Sequence, residues 1–184
     1  MGRMLRFRFN AEKFVNAVAY LSQNCPNNTK LTVCKQLYLA DREHLVRYGR
    51  PVTGDHYYKL PHGPIPSRGL DIMRGRASAL ENALREKYVS VVGDSVRPKR
   101  QPNRKVFSKT DLEVLDWVIE KYGSWLPSAL RNETHKQAPW RDSEDGRPID
   151  YALFFEDRPG SEQVKQLAEA EQESRDLLRP YVAR

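Results

Sequence analysis

A chain of 184 residues with 39% hydrophobic and 30% charged residues has the size and composition of one globular domain. That balance argues against a disordered chain, and no apolar run approaches membrane-spanning length. Its 31 Lys and Arg against 24 Asp and Glu leave a formal charge of +7, which points to an anionic partner, either nucleic acid or an acidic protein surface.

The first residues, MGRMLRFRFN, contain basic side chains without a following apolar segment, so no secretory signal is expected and a cytoplasmic location is. Asn10 then caps a predicted helix over 10–22 that sets Phe14, Val18 and Leu21 at helical spacing. CPNN at 25–28 ends it. A longer helix over 29–48 places Cys34, Leu37, Tyr38, Leu45 and Tyr48 on one face and is closed by Gly49. Asp41 falls in the middle of that face. A carboxylate there must find donors or raise its pKa, and the backbone N–H groups or tyrosines of 57–65 are the expected donors. The stretch YYKLPHGPIPSR (57–68) holds Pro61, Pro64 and Pro66, which bar a helix or a central strand. It reads as a rigid corner with Tyr57, Tyr58 and Ile65 packed inward.

Residues 67–76 suit a short helix interrupted by Gly69 and Gly75. SALE (78–81) is a capping box that starts a helix to about Lys87 with Leu80, Ala83 and Leu84 inward. YVSVV, Gly93-Asp94 and SVRP then read as a hairpin, with Pro98 at a strand end. Between Arg97 and Lys109 lie six basic residues and no acidic one, either a solvated loop or an anion-binding edge. SKTD (108–111) launches a helix carrying Leu112, Leu115, Val118, Ile119 and Tyr122, ended by Gly123. A short helix over 124–133 with Leu126 and Leu130 follows. In THKQAPW (134–140), Thr134 is expected as an N-cap, His135 as a polar anchor and Trp140 as a buried indole after Pro139. A core helix is expected around 149–156. Pro159-Gly160 divides a domain over 1–157 from a C-terminal helical extension over 158–184. There Val164, Leu167, Leu177 and Leu178 are sparse among charges, as in a helix that lies loosely on the domain or awaits a partner.

Catalytic patterns are missing. The chain has no Walker A loop, GxGxxG, GxSxG or HExxH. Cys34, His44, His56 and His62 match no zinc spacing, and Cys34 on an apolar stripe reads as a small hydrophobe. No enzymatic activity, cofactor or metal is expected. Neither helix pair resembles a helix-turn-helix, since Trp125-Leu126-Pro127 makes a poor recognition face. DNA binding by the basic hairpin stays open.

Leu37, Tyr38, Ala40 and Asp41, then Tyr48-Gly49-Arg50-Pro51, His62-Gly63-Pro64-Ile65-Pro66, Thr134-His135 and Pro139-Trp140 together resemble the signature of the Panacea domain. This is the SocA-like antitoxin family, also noted in phage-associated proteins, and the resemblance runs over roughly residues 14–156. It implies a mainly α (α+β) fold, a compact helical domain with a small antiparallel β-hairpin and a C-terminal helix. It also implies the antitoxin of a toxin–antitoxin system, which binds and neutralises a co-encoded protein toxin by direct contact. Asp41, Tyr57, Gly63, Pro64, Ile65, Thr134, His135 and Trp140 are then structural signature residues. Toxin contact is expected on surfaces the core does not need: Arg97, Lys99, Arg100, Arg104 and Lys105 on the hairpin edge, and Val164, Leu167, Leu177 and Leu178 on the last helix. Two alternatives are a DNA-binding regulator using the basic edge and a protease adaptor that delivers the toxin for degradation. The adaptor would need a docking tail such as Leu178-Arg179-Pro180-Tyr181.

Overall fold

A computed structural model describes residues 4–182, with side chains through Leu177. Helix α1 (Ala11–Asn24) begins where the Asn10 side chain accepts the Lys13 N–H, as its sequence predicts. Helix α2 (Lys30–Tyr48) is capped by Thr29 and stopped by Gly49 in the left-handed region at φ +76°. Every α2 residue from Thr32 to Val46 is buried, because α1, α5, α6, α8 and three shorter elements surround it. A one-sided apolar stripe was the expectation. Instead α2 is a central helix whose polar residues, Lys35, Gln36, Asp41, Arg42, Glu43 and His44, are buried along with its apolar ones.

The proline-rich corner is a second hairpin. Strands β1 (Tyr57–Leu60) and β2 (Gly63–Pro66) pair antiparallel in the register Tyr57↔Pro66, Tyr58↔Ile65, Lys59↔Pro64, Leu60↔Gly63. Both strand prolines sit in β2, at the edge of the pair, where a missing N–H is tolerated. The outer side of β1 is occupied by residues 146–149, through Gly146 N–H to Lys59 O, Lys59 N–H to Arg147 O and Ile149 N–H to Tyr57 O. Tyr57 and Ile65 point inward as expected, while Tyr58 is half-buried.

Helix α3 (Ser67–Met73) follows directly, then α4 (Ala79–Tyr88) with its Ser78–Glu81 capping box. Leu80 is 81% exposed and Ala83 is also exposed, so this helix leans on its neighbours through Leu84 and Tyr88 rather than through the stripe expected. The predicted hairpin is present as β3 (Val89–Val92) and β4 (Ser95–Pro98). Helices α5 (Lys109–Tyr122), α6 (Pro127–His135) and α7 (Ala138–Arg141) complete the domain. Leu126 is exposed at the α6 N-terminus, and Thr134 lies inside α6, donating to Arg131 O, rather than capping a new helix. The N-terminus of α7 is taken by Asp157, which accepts the Ala138 N–H. Residues 149–156 form only a 3-10 turn, Tyr151–Phe154, although Ile149, Tyr151, Phe154 and Phe155 are buried as a core segment should be.

The last helix, α8 (Glu162–Val182), lies against α2 and the N-terminal segment. Arg158 forks onto Glu43 just before it, Val164 covers Gly49, and Ala168 is buried. Gln172 donates to Met4 O and accepts the Arg6 N–H. The whole is mainly helical with two small antiparallel strand pairs. No described helix is long and apolar enough to cross a membrane.

One carboxylate ties three of these elements together. Asp111 closes the α5 capping box on the Ser108 N–H and accepts from Lys13 Nζ of α1 at 2.5 Å and from Arg50 Nη1 at 2.8 Å. Burial alone would raise its pKa, but Lys13, the Ser108 N–H and Arg50 hold it below the usual carboxylate range. Asp111→Ala should cost about 1–3 kcal/mol in urea unfolding at pH 7, because it removes the capping bond to the Ser108 N–H and the charge-assisted bonds from Lys13 and Arg50. A depressed folded-state pKa contributes stability that is complete above the unfolded pKa, about 4, and lost as pH falls through the lower folded value. The difference between variant and wild type should therefore shrink in acid.

Candidate functional site

The signature residues gather on two sides of α2. On one side Asp41, fully buried, accepts the Thr53 N–H at 2.7 Å, the Thr53 hydroxyl at 2.5 Å and the Tyr57 hydroxyl at 2.9 Å. Tyr57 was among the expected donors; Thr53 supplies the backbone N–H expected from 57–65. Burial pushes the Asp41 pKa up, and these donors act against it. A second buried carboxylate, not singled out from sequence, lies beside it. Asp55 accepts the N–H groups of His56, Arg68 and Gly69 and so fixes the start of α3. Burial drives its pKa up to about 7 despite those three donors, with the Asp41 charge adding to the rise. This side is a hydrogen-bonded clamp between α2 and the β1–β2 hairpin.

On the other side the remaining signature residues meet around Gly63, which stands at φ +100° in the turn of that hairpin. A Cβ at Gly63 would overlap Lys35 Nζ and lie 2.9 Å from Thr134 Oγ1, so only glycine fits. His135 stacks flat on Trp140, ring centroids 3.6 Å apart and 8° from parallel. The indole is half-buried rather than buried, and its Nε1–H donates to Leu60 O. Pro64 and Ile65 are buried beneath them. Lys35 is the residue that sequence reasoning missed. It is 0% exposed, its Nζ has no hydrogen-bond partner, and burial brings its pKa down to about 8. Nothing in its sequence neighbourhood distinguishes it from a lysine on a solvated helix face.

The expected contact residues lie elsewhere. Arg97, Lys99, Arg100, Arg104 and Lys105 are all exposed along β4 and the segment after it. None of the five forms an ion pair among the described residues; the Lys99 ammonium donates to Glu86 O and the Arg104 guanidinium lies over the Tyr20 ring. Ser90, Val92, Ser95 and Arg97 face outward from the same hairpin and line an open groove of about 280 Å³, where Val92 is 73% exposed. On α8, Val164 packs against the core, whereas Leu167 and Leu177 are 65% and 69% exposed. The side chains of the stretch Leu178-Arg179-Pro180-Tyr181 lie outside those described. Among the described residues no three His, Cys, Asp or Glu side chains are grouped to hold a metal ion.

The unpaired lysine has a measurable consequence. Its folded-state pKa of about 8 lies below the ordinary value of 10.5, so the unfolded chain binds the proton more tightly between those values. The charge therefore destabilises the fold below about pH 8, and wild-type stability should rise relative to Lys35→Met as pH goes from 8 to 10.5, by on the order of 3 kcal/mol. Parallel denaturation series at several pH values check this; a constant difference would refute it.

The buried signature agrees with a comparison of the sequence to protein families. The model described as "Antitoxin SocA-like, Panacea domain" matches residues 33–141, a span from α2 through α7 that contains both sides of the cluster. No curated protein and no solved structure matches the chain. The family match covers more than half of the sequence, and the chain belongs to the SocA-like antitoxin, Panacea domain family.

Proposed function

We propose that this chain is a non-enzymatic antitoxin that binds a co-encoded protein toxin and neutralises it by direct contact. Family membership supports the antitoxin role. The observation that carries the contact reading is the exposed edge of Arg97, Lys99, Arg100, Arg104 and Lys105, none of which forms an ion pair among the described residues. An acidic toxin surface complements that edge and is steered to it. A specific interface needs about 800 Å² from each partner. The outward groove at Val92 and Arg97 supplies apolar contact beside the charges, and the exposed Leu167 and Leu177 offer a second patch on α8.

The same five cations favour a second reading, in which the hairpin edge tracks a DNA backbone. Salt separates the two: a DNA complex loses about one counterion per phosphate contact, so its affinity falls steeply and log-linearly with ionic strength.

The test is co-expression of the chain with the product of the adjacent open reading frame, scored by growth and by pull-down. Wild type should restore growth and retain the partner. Replacing Arg97, Arg100 and Arg104 by Glu should abolish both, with stability changed by only about 0.5 kcal/mol for each exposed site. Full rescue by the charge-reversed protein would exclude the edge as the contact. A wild-type protein that fails to rescue, yet shifts promoter DNA in low salt, would favour the second reading.

A further inference from the structure

The cluster around Gly63 contains a buried positive charge that the proposed interface does not use. Lys35 Nζ, from α2, has no hydrogen-bond partner, and neither does a second buried nitrogen, His135 Nε2 at the end of α6. Both lie with Thr134 Oγ1 against the Gly63 α-carbon: a Cβ placed there would overlap Lys35 Nζ and lie 3.5 Å from His135 Nε2. Thr134 spends its hydroxyl proton on Arg131 O. An ammonium enclosed in this way, with no acceptor, is an arrangement that folded chains avoid unless an anion completes it.

The surroundings have one sign. Burial keeps His135 neutral, and the charged groups that act on it next, Arg131 from α6, Lys35 from α2, His62 from the hairpin turn and Lys59 from β1, are all cationic or cation-forming. Lys35 in turn feels Arg131 and the neighbouring Cys34 thiol. The cluster is close to the surface, because His135 and Trp140 are half-exposed and His62 is exposed. Lys59 Nζ also stands 4.9 Å over the Trp140 ring, which adds a further cation at the rim.

We propose that Lys35 Nζ and His135 Nε2 form an oxyanion site above Gly63, and that its ligand presents a carboxylate or phosphate oxygen. One ligand oxygen accepts from the Lys35 ammonium and, in the tautomer protonated at Nε2, from His135. The stacked His135–Trp140 pair covers the site, so occupation alters the indole environment. The oxygen can come from a free small anion or from an acidic side chain of the protein partner.

The experiment has an arm for each source. Purified full-length chain is titrated at pH 7 with sodium phosphate and with sodium acetate, against sodium chloride at matched ionic strength, while melting temperature and tryptophan fluorescence are followed. A free-anion site gives a saturable rise with phosphate or acetate beyond that with chloride. Lys35→Met keeps the side-chain volume, removes an unpaired charge and should fold; its apparent dissociation constant should rise at least about tenfold, the loss of one charge-assisted hydrogen bond. His135→Gln, at a half-exposed position, serves as an independent second variant and should also weaken the response. In the other arm, wild type and Lys35→Met are compared for affinity to the adjacent gene product. No response to either small anion, but a loss of about tenfold or more in partner affinity, identifies the partner's carboxylate as the ligand. No anion response together with unchanged partner affinity, or with no partner complex at all, overturns the site. Because the edge substitutions do not touch Lys35, failure here is distinguishable from failure of the interface reading.

Discussion

A helix rich in polar residues, buried on every side, is the constraint on which the rest of the structure depends. Between Thr32 and Val46, α2 carries a lysine, an aspartate, an arginine, a glutamate and a histidine into the interior. Each buried charge requires partners from outside the helix. Asp41 draws in Thr53 and Tyr57, Arg42 draws in Asp157, Glu43 is gripped by Arg158 in addition to Arg47 of its own helix, and His44 donates from Nδ1 to Arg50 O. The loop after α2, the β1–β2 hairpin and the approach to α8 are therefore positioned by α2's polar groups as much as by apolar contact. Lys35 is the charge left without a counterpart.

This arrangement separates the residues that define the family from the proposed contact surface. Asp41, Tyr57, Gly63, Pro64 and Thr134 are buried, and their geometry is fixed by each other. The basic edge on β4 and the outer face of α8 take no part in that network. Substitution along the edge leaves the clamp around α2 untouched, so one scaffold is physically free to present different surfaces. The signature thus specifies a fold, and the proposed contact edge consists of side chains that the fold does not constrain.

Much of the local structure was legible because its causes are local. The Asn10 cap, the two capping boxes at Ser78 and Ser108, Gly49 at the end of α2 and the Gly93-Asp94 turn each depend on residues within a few positions of one another. What escaped depends on surroundings. Leu80 and Leu126 have apolar side chains at helical spacing, but no element lies over them, and they remain in water. The β1–β2 hairpin was obscured by prolines that matter little on the outer strand of a two-stranded pair. Residues 149–156 have core composition, yet pairing with β1 up to Ile149 leaves room for only a 3-10 turn. The candidate site divided in the same way. Asp41 stood out because a carboxylate interrupted an apolar stripe. Lys35 did not, since its burial comes from α6 and the hairpin turn, distant in sequence, closing over it.

Helix α2 and its clamped neighbours form a fixed hub, while the basic edge, the proposed contact surface, stands outside it. Hydrogen–deuterium exchange on the chain alone and in complex with the adjacent gene product tests it most directly. The amides of 32–46 should be the slowest to exchange in both states, opening only with global unfolding, and the protection gained in the complex should include residues 95–107. Fast, independent opening of α2, or a complex that leaves residues 95–107 unchanged, would contradict the account.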